Sequence, residues 1–401
     1  MPVHVTQLEA KPRQRKQEEE EEEEEYIPPD SSEEDEDMEF GEVGVAVSRG
    51  GERREGRRRE EEGGRLGLEQ GGRTLNEPVI PNNLLRIRPY RFRYSKRAWK
   101  HVVTTGLKGL MIESPESRKP PCSRIRIITW NIDMSSKFHE ARLRAALRHI
   151  EIDVLKSQHS DMPPEPCVIM LQEVRDDMLP VLLADEWVRR WFIVAPTRKD
   201  KWPEGAWYGT VTLVSRSLSI AECHMLHFGL STMHRSALCV KVRMTNPSGD
   251  GDGQGGGPVV VAFVNTHLES LVEGSMARPR QLEVCARFLK LKGVQGGVVC
   301  GDMNAITPDD TKLAKEMGLK DAWTRGDDVE DGHTWGYQGQ NDEGHPTNRL
   351  DKVLYLPGTG YKVEEPKIIG RGVTIREGAW ISDHYGLETT LHLFKSRSNS
   401  A

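Results

Sequence analysis

The segment IRIITWNI at residues 125–132 is almost wholly apolar until it reaches Asn131, and its β-branched residues predict a buried strand. The segment CVIMLQEV at residues 167–174 has the same character. Between the two, apolar side chains recur at helical spacing over residues 139–155, which predicts a helix with one buried face. A strand, a helix and a strand in this order are typical of an α/β protein.

Similar apolar runs continue to the end of the chain. Residues 88–94 alternate charged and aromatic side chains, which predicts a half-exposed strand, whereas only turns are expected between residues 218 and 237. Helices are predicted at Met178–Trp191 and Arg280–Leu291. Further strands are predicted at Gly209–Leu218, Ala237–Met244, Val259–Leu268, Gly297–Asn304, Leu350–Leu356 and Leu387–Phe394. Two sheets that face each other, with helices outside, would bury these apolar faces.

The first part of the chain has a different composition. The chain has 401 residues, and its apolar content of 36% is low for a globular protein. The acidic run Glu18–Glu25 and the mixed Arg/Glu/Gly stretch after it cannot bury enough apolar area to offset their ordering entropy. We therefore expect a disordered charged tail at residues 1–83 and one folded domain at residues 84–396. The net charge of −6 says little about a nucleic-acid partner, because the charges are segregated.

Composition also bears on the compartment. None of the six cysteines forms a CxxC pair, so we expect small buried thiols in a reducing environment and no disulfide framework. The chain has neither a run of about 18 apolar residues nor an apolar N-terminal signal, so we expect no membrane contact. The basic clusters Lys11–Lys16 and Arg53–Arg59 are either solvated charges or nuclear-import signals.

Polar side chains stand where the predicted strands end. Alone, each would be an ordinary turn, cap or structural histidine. Together they supply acidic residues, amides and histidines at several strand ends, where catalytic groups are commonly presented. The polar strand ends are Asn131–Asp133, Gln172–Glu173, Asn265–Ser270, Asp302–Asn304, Arg349–Asp351 and Ser382–His384.

This collection of residues suits metal-assisted hydrolysis of a phosphate ester. Mg²⁺ takes oxygen ligands, usually one or two protein carboxylates, and retains several waters. Cleavage also needs an oriented water, a base for its proton and hydrogen-bond donors around the phosphate. We therefore expect a Mg²⁺ cofactor, with Mn²⁺ as a substitute.

The motifs TWNID, LQEV, NTHLES, GDMN, RLDKVLY and SDHYGL occur in this order between Ile125 and Phe394. In order and spacing they resemble the endonuclease/exonuclease/phosphatase superfamily, and most of all its tyrosyl-DNA phosphodiesterases. The resemblance implies a DNase I-like fold, a two-layer β-sandwich flanked by helices. It also implies hydrolysis of 5′-phosphotyrosyl-DNA bonds, the adducts of type II topoisomerases, in DNA repair.

The resemblance implies roles for the metal and the attacking water. Glu173 would bind Mg²⁺ directly, and Asp383 would hold a metal-bound water. Asp302 would orient and deprotonate the attacking water. Asn131 would contact the scissile phosphate, and Asn304 would position Asp302 or the phosphate.

The resemblance implies further roles around the phosphate. His267 and His384 would donate hydrogen bonds to phosphate oxygens, and Asp351 would fix the orientation and protonation of His384. Three residues are candidates for substrate binding: Tyr208 near the site, Ser270 on a phosphate, and Trp335 stacked on a base. A plain core tryptophan is an equally good interpretation of Trp335.

Two positions depart from the resembled family. Met134 stands where a glycine is common and is expected to crowd the loop beside the DNA end. Ile306 stands where an arginine often contacts phosphate. Both bear on specificity for DNA ends more than on hydrolysis.

The resemblance and the composition lead to expectations about partners and location. The expected partner is a DNA 5′ end with a tyrosyl adduct, bound by a monomer whose tail binds proteins. The expected location is the nucleus, with the cytoplasm as a second location. Two other functions remain open. One is a related hydrolase of RNA 3′ ends, phosphoinositides or sphingomyelin, and the other is a catalytically inactive scaffold.

Overall fold

A computed structural model describes residues 82–394, with gaps at 105, 108–121, 158–162, 248–257, 328, 340–343, 359 and 377. The disorder and basic clusters expected before residue 82 lie outside the described residues. The first described strand begins at Asn83, next to the predicted start of the folded domain at residue 84.

The described residues form strands and helices in alternation. The strands are β1 (Asn83–Arg86), β2 (Tyr90–Arg93), β3 (Ala98–His101), β4 (Arg124–Asn131), β5 (Cys167–Arg175), β6 (Phe192–Ala195), β7 (Tyr208–Ser215), β8 (Ser219–His227), β9 (Ser236–Thr245), β10 (Pro258–His267), β11 (Gly297–Asp302), β12 (Lys320–Asp321), β13 (Asp351–Tyr355), β14 (Tyr361–Val363), β15 (Lys367–Ile369) and β16 (Gly386–Leu393). The α-helices are α1 (His139–Arg148), α2 (Leu179–Ala184), α3 (Glu186–Trp191), α4 (Arg278–Leu289) and α5 (Leu313–Glu316).

The strands assemble into two mixed sheets. One has seven strands in the order β1-β8-β9-β10-β11-β13-β12. The other has nine, in the order β14-β16-β4-β5-β7-β6-β2-β3, with β15 also paired to β16. The predicted α/β class with two sheets and flanking helices is therefore confirmed.

Alternation along the strands separates two cores, as strand β10 illustrates. Val261 and Phe263 pack in the larger core, which joins residues of both sheets. Ala262 and Val264 point the other way and pack in a second core with the apolar face of α4. Because successive side chains of a strand point to opposite faces, each polar residue at a strand end belongs to one of these two rows.

Two predicted helices differ in detail from the observed ones. Residues 178–191 form α2 and α3, separated at Asp185, which has extended backbone and caps α3 by accepting from the Val188 amide at 3.2 Å. The helix predicted over residues 139–155 is α-helical only to Arg148 and continues as a π-helical turn, His149–Val154.

The prediction of turns alone between residues 218 and 237 is wrong, because β8 lies there. Its Glu222 and His224 interrupt the apolar pattern. Glu222 follows a register shift opposite β9 and binds the buried Lys241, with Oε2 and Nζ 2.7 Å apart. A partly buried ion pair thus replaces the apolar contacts by which such a strand is recognised from sequence.

The structure also describes the state of the cysteines and the length and apolar character of the helices. All six cysteines are free thiols, and all except Cys122 are buried. Burial raises the pKa of Cys167 to about 12, as expected for an unreactive core thiol. Within the described residues, every helix falls short of the length and apolar character that a bilayer crossing needs.

A buried ion pair joins two loops that carry polar motifs. Arg278 donates from Nε and Nη2 to the two carboxylate oxygens of Asp310, at 2.8 Å each. Its Nη1 donates to the carbonyl oxygens of Glu269 and Leu271, at 3.1 and 2.7 Å, and Asp310 accepts from the Ile306 amide at 3.1 Å. The pair therefore fixes the loop after β10 against the loop after β11.

The Asp310→Ala substitution is expected to lower the free energy of unfolding by about 3–5 kcal/mol, because it leaves the Arg278 guanidinium buried without a counter-charge. Urea denaturation followed by circular dichroism measures the change. Asp309→Ala is the matched control, since Asp309 pairs with Lys312 in solvent and should matter little. Equal losses in the two variants would contradict this assignment.

Candidate active site

The register of three neighbouring strands sets ionisable side chains side by side. His267 ends β10 and pairs with Asp302, which ends the parallel strand β11. Asp302 pairs in turn with Asp351, the first residue of the antiparallel strand β13. Paired residues project from the same face of a sheet, and His267 continues the row of Phe263, which faces the other sheet.

Asp302 lies at the centre of the group and is buried. Its Oδ2 is 3.3 Å from Nε2 of His267 and 3.7 Å from Nε2 of His384, and it accepts a hydrogen bond from Nδ2 of Asn131 at 3.1 Å. Burial alone would raise the pKa of Asp302, but the two histidines and the Asn304 amide hold it well below its usual range. The carboxylate is therefore ionised at neutral pH and can accept a hydrogen bond from water.

His384 is held by Asp351, as predicted for this pair. Nδ1 of His384 is 2.8 Å from Oδ2 of Asp351, which fixes the ring's orientation. Burial opposes the charged imidazole, but the carboxylates of Asp351, Asp383 and Asp302 outweigh it and raise the pKa of His384 well above its usual value. His384 is thus a charged hydrogen-bond donor beside Asp302.

Glu173 reaches the site through an irregularity in β5. The register between β5 and β7 shifts between Leu171 and Val174, and Glu173 within the shift has a left-handed backbone with φ of 59°. Such a conformation costs a non-glycine residue on the order of 1–3 kcal/mol. Oε2 of Glu173 accepts from the Met134 amide at 2.8 Å, and Oε1 is 3.9 Å from Nδ1 of His267. A strained bulge therefore directs this carboxylate into the site.

A group of carboxylates lies next to His384. Burial, together with the negative charges of Asp133 and Glu173, raises the pKa of Asp383 to about 6, although His384 opposes this. Arg142 neutralises part of the charge, because its Nη2 is 2.7 Å from Oδ2 of Asp133. A bound cation would relieve the remaining repulsion, so this arrangement fits a divalent ion.

The oxygen donors suit Mg²⁺ or Mn²⁺. Among the described residues, no three His, Cys, Asp or Glu side chains converge closely enough to enclose a metal ion. Mg²⁺ usually needs only one or two protein carboxylates, since it keeps several of its waters. Glu173 can supply the direct ligand, and Asp383 can act through a water.

Arg235 was not found from the sequence, although it lies inside the site. Its Nη1 is 2.7 Å from Nδ1 of His267, its Nη2 donates to Oγ of Ser270 at 2.7 Å, and the guanidinium lies over the Tyr208 ring at 5.3 Å. The side chain is buried, and no carboxylate of the described residues lies within ion-pair distance. The fold thus holds an uncompensated cation between an aromatic ring and a histidine, which favours an anionic ligand here.

Glu269 holds the loop that carries Arg235. Its Oε1 accepts from the amide and the hydroxyl of Thr232, both at 2.8 Å, and its Oε2 accepts from Oγ of Ser231 at 2.8 Å. Gln281 of α4 donates to the same carboxylate at 3.0 Å. Burial opposes ionisation, but these donors lower the pKa of Glu269, so one carboxylate links the loop, the motif after β10 and α4.

Asn304 and Trp335 lie at the edges of the group. Asn304 has a left-handed backbone, and its backbone amide donates to Oδ1 of Asp302 at 2.9 Å. Its side-chain Nδ2 donates to the Leu268 carbonyl at 3.0 Å. It therefore contacts Asp302, while its expected role in the reaction stays a prediction. Trp335 is half-exposed, belongs to neither core, and donates from Nε1 to Asp383 at 3.1 Å. A plain core tryptophan is thus the poorer interpretation.

The two departures from the family pattern have different consequences. The left-handed residue of the TWNID turn is Asp133, with φ of 59°, and not Met134. Met134 therefore needs no glycine-like backbone, and its amide binds Glu173. Ile306 is exposed and offers no positive charge, whereas Arg235 lies beside His267.

Two buried amide side chains lie behind the site, those of Gln172 and Asn265. Both belong to the sequence motifs, but the sequence assigned them no role. Gln172 donates from Nε2 to Oδ1 of Asn265 at 2.8 Å, which links the two sheets. Asn265 donates in turn to the Leu171 and Val211 carbonyls, at 3.2 and 3.0 Å. Their position one or two residues before Glu173 and His267 indicates that they support the site from below.

Three comparisons with known proteins bear on the family and the fold of this chain. Residues 128–384 match the sequence profile of the Endonuclease/Exonuclease/phosphatase family. A 5′-tyrosyl-DNA phosphodiesterase of Caenorhabditis elegans is 26% identical over 275 residues, which span 66% of this chain and 66% of that protein.

Solved structures show the same fold. Truncated Caenorhabditis elegans TDP2 matches with a TM-score of 0.50 and 22% identity, over 67% of this chain and 97% of that one. Danio rerio TDP2, humanized by 14 mutations, matches with a TM-score of 0.50 and 19% identity, over 67% and 99%. The profile match covers more than half of the chain, and the chain belongs to the endonuclease/exonuclease/phosphatase family, with its DNase I-like fold.

Proposed function

We propose that this protein is a Mg²⁺-dependent phosphodiesterase that hydrolyses 5′-phosphotyrosyl-DNA bonds and leaves a 5′-phosphate. The observation that carries the proposal is the convergence of Asn131, His267 and His384 on the ionised Asp302, with Glu173 beside His267. Enzymes of this family are typically dependent on a divalent metal, and the carboxylates Glu173 and Asp383 suit one.

In the proposed reaction, Asp302 accepts a hydrogen bond from the attacking water and takes its proton as the new oxygen–phosphorus bond forms. His384, charged through Asp351, donates to a phosphate oxygen as negative charge develops. The bond from phosphorus to the tyrosyl oxygen breaks, and that oxygen leaves with the electron pair. A metal ion on Glu173 would supply a Lewis acid for the phosphate.

The tyrosyl adduct is favoured by the surroundings of Arg235. A phosphotyrosyl bond joins an aromatic ring to an anion, and Arg235 offers one cation between the Tyr208 ring and His267. The relative from Caenorhabditis elegans is named for the same activity. Removal of topoisomerase adducts in the nucleus, by a monomer whose tail binds proteins, is part of the proposal.

A panel of substrates tests the choice of adduct. With Mg²⁺, the full chain is expected to cleave a 5′-tyrosyl oligonucleotide faster than RNA 3′ ends, phosphoinositides or sphingomyelin. Asp302→Asn is the inactive control, because it removes the proton acceptor. Hydrolysis of a lipid headgroup without cleavage of the tyrosyl oligonucleotide would replace the proposed substrate, and no hydrolysis together with no Mg²⁺ binding by calorimetry would favour an inactive scaffold.

The Glu173→Gln substitution is expected to lower kcat on the tyrosyl oligonucleotide by about 100-fold or more, because it removes the charge that binds the metal. Steady-state kinetics at saturating Mg²⁺ measures the loss. Glu140→Gln is the control, since Glu140 is an exposed residue of α1 paired with Arg144. Undiminished wild-type activity in excess chelator would rule out the metal mechanism.

The Asp351→Asn substitution is expected to lower kcat by about 10- to 100-fold with little change in KM, because the imidazole of His384 loses its charge and its orientation. Melting temperatures verify that the variant is folded. Asp331→Asn changes an exposed carboxylate of the same part of the chain and should keep full activity. A variant at Asp351 with wild-type kcat would show that His384 needs no partner.

A further inference from the structure

The mouth of the active site has an apolar side. Leu271 and Val272 follow Ser270 directly along the chain, and Met276 lies four residues further on. These three side chains are 55%, 64% and 84% exposed, and Ile306 is 36% exposed. We call these four residues the apolar rim. Single exposed aliphatic side chains are common, whereas these four stand in the two segments that continue from the site residues Ser270 and Asn304.

One ion pair holds the backbone of two rim residues, Leu271 and Ile306. The Leu271 carbonyl accepts from Arg278 at 2.7 Å, the Ile306 amide donates to Asp310 at 3.1 Å, and Arg278 and Asp310 bind each other. Leu271 also has a left-handed backbone, with φ of 62°. The backbone at Leu271 and Ile306 is therefore fixed, at Leu271 with a cost in backbone strain.

The apolar rim is continuous with the groups that hold the phosphate. Ser270 immediately precedes it, and its Oγ is 2.7 Å from Nη2 of Arg235, whose Nη1 contacts His267. A group bonded to a phosphate at Arg235 would therefore leave the site on the side where the chain continues into the rim. Residues 270–277 and 304–308 contain one charged side chain, the acidic Glu273, so these two stretches offer no cation to the phosphates of a nucleic-acid strand.

The other side of the mouth has the opposite character. Tyr337 stacks on Tyr385, with ring centroids 5.8 Å apart and planes 9° apart, and Arg371 lies over the Tyr385 ring at 5.4 Å. Arg371 and Arg376 are exposed, and within the described residues neither has a carboxylate at ion-pair distance. Stacking rings with nearby cations are suited to bases and phosphates of a nucleic-acid strand.

A phosphodiester joins two organic groups, here called its arms, through one phosphate. The two sides of the mouth differ in polarity and charge, so each suits a different arm. We propose that the apolar rim binds the arm opposite the nucleic acid, which for a tyrosyl-DNA adduct is an apolar peptide attached to the tyrosine. The inference rests on the proposed function and adds a preference among its substrates. The enzyme would then favour adducts whose tyrosine is flanked by apolar residues.

Three oligonucleotide substrates test this preference with the full-length protein. One carries a bare 5′-tyrosine, one a peptide with Leu and Val next to the tyrosine, and one a peptide with Ser and Gly there. Each kcat/KM is divided by that of the bare adduct for the same enzyme. The wild type is expected to favour the apolar peptide over the polar one by about fivefold, from partial burial of the rim.

The double variant Val272→Ser with Met276→Ser is expected to lose this preference. Val103→Ser is the matched control, because Val103 is 80% exposed and follows β3 at the edge of the other sheet, and it should keep the wild-type ratio. Equal rates for the two peptides in the wild type, or an unchanged preference in the double variant, would overturn the inference while cleavage of the bare adduct upheld the proposed function.

Other occupants of the rim give different outcomes. A change in oligomeric state on sedimentation of the double variant would assign the rim to a second copy of the chain. Flotation of the wild type, but not of the double variant, with neutral phosphatidylcholine vesicles would assign the rim to a lipid surface. Either result would mean that the rim does not bind the peptide arm. Failure to cleave the bare adduct would rule out both the proposed function and this inference.

Discussion

The close approach of β11 to β10 at Gly301 is the constraint on which the site depends. A side chain at this position would place its Cβ 1.8 Å from the Thr266 carbonyl oxygen, and the residue has φ of 136°. Only glycine meets both conditions. Because Gly301 lies against Thr266, the next residues along the two strands, Asp302 and His267, stand opposite each other.

Charge is distributed unevenly around this pair of strands. On the side of Asp383, carboxylates gather until burial and mutual repulsion raise a pKa, which is an environment that attracts a metal ion. On the side of His267, Arg235 is a buried cation with no carboxylate of the described residues at ion-pair distance, which is an environment that favours an anion. Asp302 lies between them, so the attacking water, the metal and the phosphate each have a separate place in the proposed reaction.

The sequence predicted the parts of the fold that follow simple periodicity. Strands buried on both faces, such as β4, β5 and β10, were predicted within a residue or two, and their polar ends were correctly expected to converge. Strand β8 was missed because Glu222 pairs with a residue of β9, a contact between distant positions that no local pattern reveals.

Some residues of the site were likewise predictable from local sequence motifs, whereas others depend on contacts between distant positions. His267, Asp302 and His384 stand in motifs at strand ends, where the sequence itself marks them. Arg235 stands in an ordinary loop sequence, and it enters the site only because Glu269 and the register of β9 with β10 carry it there. The φ of Glu173 likewise depends on a bulge, which depends on the neighbouring strand β7.

The single carboxylate of Glu269 has a consequence for how such enzymes diverge. It binds residues 231–233 mainly through backbone amides and small hydroxyls, which many sequences can supply. A loop from a homologue that keeps Arg235 could therefore replace the rest of the segment between β8 and β9, which would change the surroundings of Arg235 while Asp302 and its two histidines stayed in place.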